Sequence, residues 1–208
     1  MKINKPKLSD YLDNKNLNEC IKEGEIKDGI FEQTDLYRDI KSCILDGCVF
    51  HNIDFTDVEL EDVDIYDCIF DHCDLSNQSF EGKMLGRVQF KGCRLIGTNF
   101  IKSTLKDIVI EDSICEYINF SRVEMNKVGI YRSNCSNSFF MDCNSKNIEF
   151  DFDDFYQSEF SSIRLTGVDL SNCELIACRF DYYSIKGITI NKYQCEDFMG
   201  MLGINVKE

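Results

Sequence analysis

Residues 53–77 read IDFTDVELEDVDIYDCIFDHCDLSN. The large apolar residues of this stretch are Phe55, Leu60, Ile65, Phe70 and Leu75, one at every fifth position. A strand repeats at two residues and a helix at 3.6, so neither element explains the spacing. The same stretch carries nine carboxylates and no Lys or Arg: Asp54, Asp57, Glu59, Glu61, Asp62, Asp64, Asp67, Asp71 and Asp74.

The spacing extends far beyond this segment. From Ile40 to Ile190, every position divisible by five holds Leu, Ile, Phe or Met, except Cys115, Cys135 and Ser145. Twelve of the 16 phenylalanines lie in this register. Only 43% of the residues are hydrophobic, so chance would fill fewer than half of these positions, and the repeat is real. A second column, two residues before each centre, holds mostly Cys, Val, Ile and Ser. Its exceptions are Arg38, Gln78, Lys83, Asp153 and Tyr183. Each five-residue unit therefore has two inward anchors, and its other three residues face water.

With these columns the chain resembles the pentapeptide-repeat family, whose motif is a small residue, Asp or Asn, Leu or Phe, then two variable positions. Close matches are Thr34-Asp35-Leu36, Cys73-Asp74-Leu75, Thr98-Asn99-Phe100, Ile118-Asn119-Phe120 and Val168-Asp169-Leu170. The resemblance implies an all-β fold, a right-handed quadrilateral β-helix in which four units make one square coil. A vertical period of 20 follows. Phe80, Phe100, Phe120, Phe140, Phe160 and Phe180 then stack on one face, and Phe50, Phe70, Phe90, Ile110, Ile130, Phe150, Leu170 and Ile190 on another. At about 4.8 Å per coil, nearly eight coils give a rod of roughly 37 Å. The unbroken register implies no inserted loop between 40 and 190.

Ten of the twelve cysteines fall in the two inward columns, where they read as small hydrophobes. Pairs such as Cys48/Cys68, Cys73/Cys93 and Cys115/Cys135 stack one coil apart, with parallel side chains too far separated for easy bridging. Asp153 in the small column is expected to distort its coil. A bulge or bent coil is expected around Gln78 and Lys83.

Solenoid ends need caps. Ile21, Ile26, Phe31 and Leu36 keep the five-residue spacing one position out of register, so residues 21–37 read as an imperfect first coil. Residues 1–20 show no repeat and read as an arm or short helix, with Ser9 as a candidate N-cap. Residues 38–190 are the solenoid. In 191–208, Asn191 and Gln194 form a capping-box pattern, and Cys195, Phe198, Met199 and Leu202 recur at helical spacing. Met201, Ile204 and Val206 remain apolar beyond that face. This capping helix resembles the dimerisation element of Qnr-type family members, which implies a homodimer; a monomeric cap is the alternative.

The net charge is −14, from 37 acidic and 23 basic residues. Phosphate recognition needs cations, so direct nucleic-acid binding is not expected. No run approaches 18 apolar residues, so no membrane span is expected. The start MKINKPKLSDYL lacks a signal-peptide core, and a cytoplasmic location is expected. His51 and His72 face outward without metal-ligand spacing, so neither a metal nor a cofactor is expected. A packed rod offers no catalytic pocket, and an enzyme is not expected.

The nine carboxylates of 53–77 form a candidate partner-binding collar. The resemblance extends to a loop-less Qnr/MfpA-like subgroup and implies a DNA mimic that engages DNA gyrase or topoisomerase IV and modulates quinolone sensitivity. The alternative is a generic interaction scaffold. Residues 101–150 carry seven acidic and six basic residues, which interrupts a continuous negative stripe.

Overall fold

The computed structural model describes residues 1–32, 35–201 and 203–205. Its plan follows from one recurrent backbone state. At the second residue after a centre, the chain passes through the left-handed region: φ is 52° at Asn52, 53° at Asp67, 55° at Arg87, 57° at Asp107 and 61° at Lys127. This conformation costs an L-residue roughly 1–2 kcal/mol, so its recurrence requires compensation from neighbouring coils. Gly97 relieves it at one tight corner, where a Cβ would meet Asn77 Oδ1 at 2.6 Å.

Those corners fold each coil into four walls, here numbered by their centres. Wall one holds residues 40, 60 and onward by twenties, wall two begins at 45, wall three at 50 and wall four at 55. Parallel pairing joins a residue to the one twenty positions on. Phe50 pairs with Phe70, Leu85 with Leu105, and Phe140 with Phe160. On wall four, bridges run from Asp54 through Asp74, Arg94, Ile114, Asn134 and Asp154 to Glu174. No insertion breaks this register. Mid-rod, walls two and three merge into eight-residue strands: β1 (Met84–Lys91), β2 (Thr104–Glu111), β3 (Glu124–Tyr131) and β4 (Asn144–Asp151).

The core is a stack of rings and aliphatic centres. On wall one, Phe80, Phe100, Phe120, Phe140, Phe160 and Phe180 stack with successive centroid distances of 5.1, 5.2, 5.1, 4.7 and 4.8 Å. On wall three the stack begins earlier than the period of 20 suggests, with Phe31 on Phe50 at 5.2 Å. Such ring pairs contribute about 0.5–1.5 kcal/mol each beyond burial.

The small column has a hydrogen-bonding role as well as a steric one. Cys73 and Cys93 Sγ donate to Phe50 and Phe70 O at 3.4 and 3.3 Å, and Cys143 Sγ to Phe120 O at 3.0 Å. Thr98, Ser138 and Ser158 hydroxyls do the same for Leu75, Cys115 and Cys135 O. A thiol or hydroxyl thus satisfies a buried corner carbonyl, which explains why Cys, Ser and Thr recur there. All twelve cysteines are free. Burial pushes the thiols of Cys93, Cys143, Cys173 and Cys178 up to about 12. Cys43, expected to be inward, is only half-buried.

Asp153 does not distort its coil. The side chains above it form a ladder: Ser113 Oγ accepts Cys93 N–H at 3.0 Å, Ser133 Oγ accepts Ser113 N–H at 3.2 Å, and Asp153 Oδ1 accepts Ser133 N–H at 2.9 Å. Asp153 Oδ2 also accepts Asp151 N–H at 3.1 Å. The residue is 1% exposed, and desolvation raises its pKa to about 7 against those two N–H donors.

At the N-terminal end, α1 (Leu17–Glu23) replaces the coil turn expected around Ile21, and its N-cap is Asn16, not Ser9. Before it, a two-residue strand, Asp13–Asn14, pairs with Gly29 and Ile30. The buried Leu17 joins the core at this end. In the first coil Ile26 pairs with Leu45 and Phe31 with Phe50, an interval of 19 that absorbs the four-residue step from Leu36 to Ile40. At the other end, α2 (Cys195–Met201) closes the wall-one stack with Phe198, whose ring lies 5.3 Å from Phe180.

Candidate functional site

The nine collar carboxylates lie on two successive coils, and stacking gives them neighbours that are distant in sequence. Lys41 Nζ reaches Glu61 Oε2 at 2.8 Å, Asp39 Oδ2 at 3.3 Å and Glu59 Oε2 at 3.9 Å. Lys83 pairs with Asp62. Arg87 clamps Asp67 through Nε and Nη2, each at 2.5 Å. Arg94 Nε donates to Asp74 Oδ2 at 3.0 Å. The cation-free stretch between Lys41 and Lys83 is therefore partly neutralised by its flanking coils.

The other collar residues are held differently. Asp54 Oδ1 accepts Thr56 N–H at 2.8 Å and its hydroxyl at 2.6 Å, a local turn that fixes the carboxylate outward. Asp64 Oδ1 accepts Met84 N–H at 2.8 Å. Asp71 sits between His51 Nδ1 at 2.9 Å and His72 Nδ1 at 2.7 Å. Sequence spacing places the two histidines a coil apart but gives no sign of the shared carboxylate. Asp57 stands exposed.

Charge pairing favours the ionised form at two collar positions. Lys83 holds the Asp62 carboxyl below its usual range. Burial acts to raise Asp67, but the Arg87 guanidinium and the Lys7 N–H outweigh it, and its pKa falls. Glu61 first, then Asp39, push the Lys41 ammonium up to about 12. Exposed pairs of this kind contribute little stability and are screened by salt.

Among the described residues, two clefts open between paired walls. On wall one, Ile40 pairs with Leu60, but no ladder joins Leu60 to Phe80 among the described residues. Gln78 spans that opening, its Nε2 donating to Phe55 O at 2.7 Å and Val58 O at 2.8 Å. The result is a cleft of about 810 Å³ edged by Asp57, Glu59, Glu61, Asp62, Glu81 and Lys83. The bulge expected at Gln78 and Lys83 is thus an opening of one wall, because a long amide fills the place of a ladder bond. The second cleft, about 680 Å³, separates β4 from residues 164–169. Ser145, the polar centre, donates its hydroxyl to Arg164 O at 2.7 Å there.

At the C-terminal end, Asn191 and Gln194 form the expected capping box around the short 3₁₀ turn Lys192–Gln194 that leads into α2. Gln194 Nε2 also donates to Leu170 O and Cys173 O, as Gln78 does between its coils. Phe198 is buried, Cys195 and Met199 are half-buried, and Ile204 is 50% exposed. Leu202 and Val206 lie outside the described residues, as does the side chain of Met201.

Among the described residues, no group of three or more His, Cys, Asp or Glu is arranged to hold a metal ion, and no helix is long and apolar enough to cross a membrane. The available surface chemistry is that of ionised carboxylates and hydrogen-bond acceptors on a stiff support.

The family model described as "Pentapeptide repeat region" matches residues 38–120 and, overlapping them, 63–140. The chain is a pentapeptide-repeat protein. Its mostly-strand β-solenoid of about eight turns with a short C-terminal helix is similar to two solved structures of trypsin-treated QnrB1 variants, described as a plasmid-mediated fluoroquinolone resistance protein. The first is 24% identical, covers 94% of this chain and 95% of that one, and has a TM-score of 0.58. The second is 23% identical over the same shares, with a TM-score of 0.55. At these identities the likeness concerns the pentapeptide-repeat fold alone. No curated protein matches the sequence significantly.

Proposed function

We propose that this pentapeptide-repeat protein is a non-enzymatic acidic rod that binds DNA gyrase or topoisomerase IV as a DNA mimic and modulates quinolone sensitivity. The observation that carries this reading is the collar: nine carboxylates gathered on two successive coils of the solenoid, with no Lys or Arg among them in residues 53–77. A basic DNA-binding groove responds to such a field. The printed description of QnrB1 as a fluoroquinolone resistance protein supports the choice of partner. A homodimer through the C-terminal end would double the length of the rod. The exposed Tyr182, Tyr183, Tyr193 and Ile204 near that end support this assembly; a monomer mass by light scattering at micromolar concentration would exclude it.

A second reading, a scaffold for some other basic partner, is favoured by the pairing in the middle coils. Lys91 meets Glu111 at 3.4 Å, and Arg132 meets Glu111 at 3.5 Å and Asp112 at 2.7 Å, which neutralises the surface between the collar and the acidic residues 149–159. A gyrase supercoiling assay titrated with the protein, with and without a fluoroquinolone, separates the two. The mimic reading expects inhibition of supercoiling or protection from the drug; no effect at tens of micromolar leaves the scaffold.

A further inference from the structure

The amino-terminal arm, residues 1–9, runs along the outside of the rod over the corner between walls two and three. Lys7 N–H donates to Asp67 Oδ1 at 2.7 Å, Asn4 N–H donates to Asp107 Oδ1 at 3.0 Å, and the Met1 ammonium lies 3.2 Å from Glu149 Oε2 at the edge of the second cleft. Asp67 and Asp107 are two coils apart, about 9.6 Å, and the three residue steps from Asn4 to Lys7 span about 10 Å when extended. The arm and the corner are therefore in register.

The corner is organised to receive such a chain. Arg87 holds Asp67 in a two-bond clamp, and Lys127 Nζ lies 3.9 Å from Asp107 Oδ1, so each aspartate is oriented by a cation one coil further on. Both aspartates are nearly covered, at 7% and 2% exposure. Ile3, Pro6 and Leu8 are half-buried, while Lys2, Lys5 and Lys7 stay exposed over an acidic protein. The two central hydrogen bonds use only backbone N–H groups of the arm and so select an extended backbone, while the Lys7 charge also acts favourably on the Asp67 carboxylate, which adds a preference for lysine. Few bonds hold the arm against the freedom lost by its residues, which makes its release accessible.

We propose that this corner is a docking track for an extended, lysine-rich segment of a partner protein, and that the arm is its resident intramolecular occupant, displaced when the partner binds. The proposal does not require the partner to be a topoisomerase.

The test uses the full chain carrying Asn4→Pro and Lys7→Pro, which removes both latching N–H donors and leaves the rod untouched. The probe is a fluorescent, acetylated peptide of residues 1–9, followed by anisotropy. The unlatched chain is expected to bind it saturably and at least tenfold more tightly than the unaltered chain, and Asp107→Ala in the unlatched background is expected to abolish binding. A peptide with the same two prolines should not bind, a control that holds even where Asp107→Ala fails to fold. Equal binding by both chains, or equal binding of the proline peptide, overturns the track. So does an unaltered chain that is dimeric and becomes monomeric on unlatching, which would assign the corner to arm exchange between copies.

Discussion

The coils from Met84 to Tyr131 and the pair of coils that begin at Asn144 and Arg164 use the same five-residue unit, yet the first close on all walls and the second part from each other on two. In the closed region, Leu85, Leu105 and Met125 fill successive wall-two centres and are fully buried, and β1, β2 and β3 pair residue by residue. At the next step the centre is Ser145, half-exposed, whose hydroxyl bonds to Arg164 O in place of a ladder. Stacking between coils is thus set locally by the centre residue, as expected of a fold in which each repeat touches only its neighbours.

The comparison can be broken first at the core. Phe120 lies between Phe100 and Phe140 at 5.2 and 5.1 Å, so Phe120→Ala is expected to lower stability by roughly 3–5 kcal/mol in urea unfolding. Phe180→Ala, at a half-buried end position, should cost clearly less; equal losses would mean that closure does not govern stability.

Asp153 sharpens the contrast next, since it ends in the open region a ladder that begins in the closed one. Its folded pKa of about 7 stands above an ordinary value of 3.8. Its contribution to stability is therefore fully present below about pH 4 and has been lost once the pH passes about 7. Asp153→Asn should remove that slope, which amounts to on the order of 2–4 kcal/mol between acid and alkaline conditions. Parallel pH profiles of the urea midpoint for the two chains would show that burial does not raise the pKa of this carboxyl.

The smallest effect concerns Ser145 itself. Ser145→Leu restores the apolar centre and is expected to raise stability by about 1 kcal/mol, with tighter amide-exchange protection in β4. Reduced stability would mean that something other than the centre residue sets the opening.

The period, the core and the two phenylalanine stacks were legible in the sequence because a column of identical roles averages over single exceptions. The exceptions themselves were visible at Gln78, Ser145 and Asp153, but their outcomes were not. A polar side chain in an inward column can open a wall or complete a hydrogen-bond ladder, and the choice depends on which backbone groups face it. For Asp153 a clue existed in Ser133 and Ser113, one and two coils earlier. The collar was legible as charge, whereas its partial neutralisation by Lys41, Lys83, Arg87 and Arg94 required the coil-to-coil register. The arm was expected from the lack of repeat in residues 1–20, but its docking on the rod was not legible, since its contacts join residues 60 to 148 positions apart and follow no repeat.

The left-handed corner has a consequence for how such a protein can change. That position holds Asp62, His72, Arg87, Lys102, Tyr117 and Arg132 with nearly the same φ, so it accepts acid, base and aromatic alike. The rod is written in two alphabets: an inner one, narrow and conservative, that dictates shape, and an outer one, permissive, that dictates what the shape presents. Substitutions in the outer alphabet can redraw the charge map over generations while every coil stays in place, so relatives with one silhouette are free to diverge in what they recognise.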